Sequence, residues 1–148
     1  YTMRLLDAEG ILIAETMGTL SLAPGEVAPI FEPNIQAGFR VPARTFVSVD
    51  AGFWKRMEHT VDPIRIGSPA LDQEALRLSA TLENTTALPV GRVTATALLY
   101  DEEDILVAAS QTILDGIAPR ASREVIFTWQ QPFTKPVVRI DIVPRISR

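Results

Sequence analysis

Residues able to do chemistry are few in this chain and poorly grouped. His59, the one histidine, stands without the companion residues that a metal site or a general base needs, and is expected to be a linker histidine. Asp101, Glu102, Glu103 and Asp104 concentrate hard oxygen ligands on one turn, but the run lacks the Asp-x-Asp-x-Asp-Gly spacing of a calcium loop. It reads as a solvated hairpin tip, and Asp7 and Asp101 are each expected to shape their own turn through bonds to backbone amides. Asn84-Thr85-Thr86 fits a glycosylation acceptor pattern and reads more simply as a polar strand connection. Trp54, with Phe53 and Met57, is either an exposed anchor for a partner or packing between two units; Trp129 reads as core. No Gly-x-Ser-x-Gly elbow, phosphate loop or Gly-x-Gly-x-x-Gly fingerprint is present. No catalytic, cofactor-binding or metal-ligating residue is therefore assigned, and no cofactor is expected.

The bulk properties narrow the field further. The chain has 148 residues, of which 47% are hydrophobic, enough to bury a core. Its net charge of −4 disfavours nucleic acid and anionic membrane surfaces, which need a basic face. The absence of cysteine removes disulfides, thiolate zinc sites and cysteine nucleophiles together. No apolar run approaches the roughly 18–20 residues that span a bilayer, so no direct membrane insertion is expected. The start at Tyr1-Thr2-Met3, without an initiator methionine, suggests a processed or trimmed product whose anchor or signal would lie upstream.

The elements that would position these residues are strands. Eleven prolines and eight glycines leave little room for long helices. Residues 75–83 place Leu76, Leu78, Ala80 and Leu82 on one face and Arg77, Ser79, Thr81 and Glu83 on the other. In 92–100, Val93, Ala95, Ala97 and Leu99 alternate with Thr94, Thr96 and Leu98. Val125, Phe127 and Trp129 share a side in 124–129, as do Val138, Ile140 and Ile142 in 137–143. Period 2 with one wet face, broken by turns at short intervals, predicts an all-β antiparallel sandwich. The weak helix candidate is 53–59.

An internal repeat organises these strands. Residues 6–16 align with 100–110 at an offset of 94, and the match persists with small indels. Leu22-Ala23-Pro24 pairs with Ile117-Ala118-Pro119, Ile30-Phe31 with Ile126-Phe127, and Phe39 and Pro42 with Phe133 and Pro136. Each copy is expected to hold a strand, a four-residue turn, a second strand, a proline crossover and two more strands, ending at 45–49 and 139–143. Gly10 and Asp104 fall at the last turn position, where a positive φ is expected. The domains are then a first repeat over 1–52, a linker over 53–62 and a second repeat over 63–148. The second copy has two further strand segments, 63–66 and 75–83, with no counterpart in the first, so the first is N-terminally incomplete. Upstream chain, a strand from another subunit, or rearrangement into a small sheet would each resolve the exposed face near Leu5 and Ile13 and the unpaired edge.

Ala97-Leu98-Leu99-Tyr100-Asp101, followed by Leu106-Val107-Ala108-Ala109-Ser110 and the Pro119 crossover, resembles the FxLYD domain, a prokaryotic immunoglobulin-like domain. The leading Phe is replaced by Ala97, and the first copy keeps only Leu5 and Asp7 of the Leu-Tyr-Asp core, with Leu6 in place of the Tyr. The resemblance implies two tandem immunoglobulin-like units in an extracytoplasmic, bacterial cell-surface protein, often behind an N-terminal membrane anchor, and brings no catalytic residues.

The expected function is that of a non-catalytic structural or interaction protein, a surface spacer or adhesion module. Its partner, or another copy of itself, would engage the exposed sheet edge of the first repeat. The competing expectation is a filament or assembly subunit whose first unit is completed by a neighbour's strand. An enzyme or ligand-binding accessory domain would need polar groups converging in a pocket.

Overall fold

The computed structural model describes residues 1–23, 25–50, 52 and 63–146. The expected helix at 53–59, the linker at 53–62, His59 and the Phe53, Trp54 and Met57 group lie outside the described residues. The chain is all-β: ten strands, every pairing antiparallel, and no helix among the described residues. It divides into two compact units, Tyr1–His59 and Thr60–Arg148.

In the first unit, β1 (Thr2–Leu6) lies between β2 (Leu12–Met17) and β3 (Arg44–Ser48). The second unit holds β4 (Ile64–Ile66), β5 (Ala70–Asp72), β6 (Arg77–Asn84), β7 (Val93–Tyr100), β8 (Leu106–Leu114), β9 (Ser122–Thr128) and β10 (Arg139–Ile146). One of its sheets runs β10-β7-β8. The other is built on β6, which pairs with β9 along Arg77 to Glu83. With that edge taken, β4 and β5 must share the opposite edge, at Leu82–Asn84 and Arg77–Ser79. They form one edge strand interrupted around Ser68 and Pro69.

The two sheets of the second unit enclose one core. Leu78, Leu82, Val125 and Phe127 come from one layer, and Val93, Ala95, Ala97 and Leu99 from the other, all almost wholly buried. The β7 alternation is thus realised as expected, because β7 is the central strand of its sheet and one face must be dry.

Several sequence expectations need correction. Leu76 is not a strand residue: with φ at 51° it closes the turn between β5 and β6. β5 itself is a third strand segment that the alternation did not reveal. Val138 points outward and is exposed, while its neighbour Val137 packs on the core, because β10 begins only at Arg139. Trp129 lies just past β9, half-buried at the core margin, edge-on to Phe133 with its Nε1 donating to the Ala109 carbonyl at 3.0 Å.

The largest correction concerns Ile30-Phe31. The alignment with Ile126-Phe127 predicts a strand, yet no strand is found among the described residues of 18–43. The cause is the missing neighbour. β9 exists by pairing with β6, and the described residues of the first unit hold no equivalent of β6. Pro29 and Pro33 further lower the strand tendency of this stretch.

Candidate functional site

The turns that join the central strand to its neighbour are built alike in both units. Asp7 N donates to Ile11 O at 3.0 Å, and Gly10 N to Asp7 O at 3.1 Å. Asp101 N donates to Ile105 O at 3.0 Å, and Asp104 N to Asp101 O at 3.2 Å. A bulge interrupts the ladder at the same place, between Leu5 and Leu6 in one and between Leu99 and Tyr100 in the other. Gly10 and Asp104 have φ values of 84° and 59°. The third strand joins equivalently, Ala43 N to Leu6 O at 2.8 Å and Val138 N to Tyr100 O at 2.9 Å.

Both turns fold around a buried carboxylate. Asp7 Oδ1 accepts from Ile11 N at 2.7 Å, and Asp101 Oδ1 accepts from Ile105 N at 2.9 Å and Glu103 N at 3.0 Å. The outer oxygen of each meets a cation from downstream, Arg40 on Asp7 and Lys135 on Asp101. Asp101 is therefore not part of a solvated tip. The Lys135 ammonium holds its carboxyl below the usual range against the cost of burial, and the backbone amides add to this. Burial pushes Asp7 up, but the Ile11 amide and the Arg40 guanidinium outweigh it and leave the carboxyl lowered. Lys135 is raised by its bonds to Asp101 and then Glu103. Arg139 spans Asp104 and Asp141 and lies 3.7 Å from the centroid of the Tyr100 ring. Part of the acidic turn's charge is thus offset from within the fold, with Lys135 shared by Asp101 and Glu103 and Arg139 shared by Asp104 and Asp141. No group of three or more acidic or histidine side chains placed to hold a metal occurs among the described residues.

Asn84 is the polar residue whose role the sequence pattern concealed. It is fully buried, and its Nδ2 donates to the carbonyls of Leu88, Ile117 and Ala118 at 2.7, 3.2 and 3.1 Å. Its Oδ1 accepts from Thr86 N and Oγ1. This nitrogen has no room for a sugar, and Asn84 serves as a clasp between two loops.

The first unit differs in what lies over its sheet. Among its described residues the one fully buried side chain is a carboxylate, Asp7, and no hydrophobic side chain is fully buried. Residues opposite one another in a ladder share a face. Met3, Leu5, Ala14, Thr16, Thr45 and Val47 therefore form the face equivalent to the dry side of the second unit's sheet. Glu32 accepts hydrogen bonds from Thr16 and Tyr1, which brings the irregular 26–36 stretch over β1 and β2. The expected exposure near Leu5 and Ile13 is accordingly partial, since both are half-buried.

The opening is instead at β3. Every residue of β3 is exposed, with Phe46 at 57% and Val47 at 49%, and Val49 just beyond at 73%. One edge of β3 pairs with β1; the other pairs with no strand among the described residues. Arg44 and Asp50 flank the apolar run, and their side chains have no ion-pair or hydrogen-bond partner among the described residues. The sequence signal was an uncharged Thr-Phe-Val-Ser-Val run bracketed by single opposite charges. No family model, curated protein or solved structure matches this chain.

Proposed function

We propose that the chain is a non-catalytic, extracytoplasmic interaction protein, with two tandem immunoglobulin-like units acting as surface spacer or adhesion modules. One observation carries this reading. The second unit closes its core with two layers, whereas the first leaves an edge strand whose five residues are all exposed and partly apolar. A long unprotected edge invites strand pairing or aggregation unless it is used for binding. The bare β3 edge therefore supports an interface, and the well-packed second unit supports a spacer. The FxLYD-like pattern through Tyr100 and Asp101 supports a location outside the cytoplasm and a bacterial source. In the turn that carries this pattern, Lys135 and Arg139 pair with Asp101, Glu103 and Asp104, so these three acidic residues serve the fold.

The test is protease treatment of intact native cells that make the epitope-tagged gene product at its normal level. Loss of the tag with a cytoplasmic control intact is expected. A product protected until the cells are broken overturns the location, and with it the surface role.

A second reading has its own observation. The stretch aligned with β9 has no strand to pair with among the described residues, so a neighbouring chain's strand in the β6 position would complete the first unit and link subunits into an assembly. Peptides copying residues 77–84 would then bind the chain and slow amide exchange across residues 26–32.

A further inference from the structure

The β3 edge carries a charge pattern that is complementary to itself. Between residues 41 and 50 the only charged side chains are Arg44 and Asp50, and Val47 lies midway between them. Two copies paired antiparallel about Val47 would set Arg44 opposite Asp50 twice, Thr45 opposite Val49, and Phe46 opposite Ser48. Residues paired in this way share a face, so both charge pairs would meet directly. Shifts that centre the pairing on residue 44 or residue 50 would instead place Arg44 on Arg44 or Asp50 on Asp50, which like-charge repulsion disfavours. The pattern therefore selects both the partner and the register.

The second unit provides the contrast. Leu6 pairs with Arg44, and Tyr100 with Arg139, so β3 maps onto β10 with Val47 at Ile142. Self-pairing of β10 about Ile142 would set Arg139 against Arg145 at both ends. It would also meet Pro144, which has no amide hydrogen to give, at the position of Val49. Proline and like charges are the usual protection of an edge strand. The β10 edge has both, and the β3 edge has neither.

We propose that two copies of this chain associate through β3, antiparallel and centred on Val47, joining their β2-β1-β3 sheets into one six-stranded sheet. This inference rests on the interaction role proposed for the first unit and names the partner as a second copy. The interface is isologous, so every substitution acts twice.

Sedimentation equilibrium of the full chain, at low salt and across micromolar to millimolar concentrations, tests it together with charge reversal. Arg44→Asp and Asp50→Arg should each weaken dimerisation by about tenfold or more, because each places two like-charge pairs at the interface. The double variant Arg44→Asp with Asp50→Arg should restore it. Circular dichroism confirms that these exposed substitutions leave the fold intact. Register is read separately through single cysteines, since the chain has none of its own. Val47→Cys should form a disulfide-linked dimer on mild oxidation. Arg44→Cys should cross-link with Asp50→Cys when the two are mixed, and neither should do so alone. A chain that is monomeric throughout overturns the inference, as does a dimer indifferent to both reversals or one cross-linked by Arg44→Cys with itself. In the last two cases self-association through another register or surface would stand, and the surface location would be decided by the protease test.

Discussion

Each unit has a three-stranded sheet of the same design, and the two differ in what lies over it. Strand order, the bulge, the positive-φ turn residue, the buried aspartate and its downstream cation coincide in β2-β1-β3 and β8-β7-β10. Yet one sheet closes a core with Phe127, Leu78 and Leu82 opposite it, and the other buries no hydrophobic side chain fully among the described residues. A sheet's register and turns are therefore local properties that survive without a core. A core needs a second layer, and here β6 makes that layer possible by pairing on both of its edges.

The sharpest way to break this contrast is to truncate an aromatic residue in each unit. Phe127→Ala should cost about 3–5 kcal/mol, the usual price of an emptied core site, because the ring is 1% exposed. Phe46→Ala should change the monomer's stability by less than about 0.5 kcal/mol, as for an ordinary surface site. Urea denaturation followed by circular dichroism, at concentrations where the chain is monomeric, separates the two. A large loss from Phe46→Ala would mean that the first unit has a core of its own.

Asn84→Leu comes next. It removes the donor to three carbonyls and the acceptor for Thr86, with an expected loss of about 2–3 kcal/mol, the cost of leaving buried polar groups unsatisfied. Amide exchange of Val90 and Ile117, which bond to each other beside this clasp, should quicken. If the loss is confined to the first unit, the clasp has been misplaced.

How much of this was legible depended on where each strand finds its partner. β7 could be read from its own residues, since Val93, Ala95, Ala97 and Leu99 sit in the middle of a sheet whose inner face is dry. The paired turns were legible too, because Asp7 with Gly10 and Asp101 with Asp104 are short-range patterns. β5 was not, because three residues on an edge, after Gly67 and Pro69, carry no period. Ile30-Phe31 misled for the converse reason: its side chains suit a strand, but the described residues hold no partner that would make it one. An unpaired edge in the first unit was legible, but it was expected near Leu5 and Ile13; its place at β3 and the self-complementary charges gained meaning only when register placed Arg44 and Val47 against β10. Asn84 escaped because three consecutive polar residues look the same whether they face water or three buried carbonyls.

Acid should loosen both turns. Asp7 and Asp101 both have carboxyls held below the ordinary range, so their ionised forms stabilise the folded chain above that range. This contribution is lost as the pH falls through the lowered folded-state values. Urea midpoints should therefore drop between pH 5 and pH 2, and Asp101→Asn should flatten that drop while lowering stability at pH 7. Exchange at Ile105 and Glu103 amides reports the second turn, and exchange at Ile11 the first. If Asp101→Asn leaves the acid profile unchanged, the carboxylate contact with Lys135 is not what holds the turn.

The smallest effect tests whether the two turns are one design. Gly10 has φ at 84°, with open space where a Cβ would stand, so a substitution there meets backbone strain and no clash. Gly10→Val should cost about 1–2 kcal/mol, because the left-handed conformation brings a Cβ close to the backbone. Gly10→Asp should cost clearly less, since aspartate tolerates this conformation better than most side chains and the second unit already places Asp104 there at 59°. Asp104→Gly should change little, as relief of the strain is offset by a more flexible unfolded chain and by the lost bond to Arg139. Exchange at Ile11 and Ile105 resolves the turns separately. Equal costs for Asp and Val at position 10 would mean that the shared geometry of the turns does not extend to what each tolerates, and the likeness between the units would then stop at the backbone.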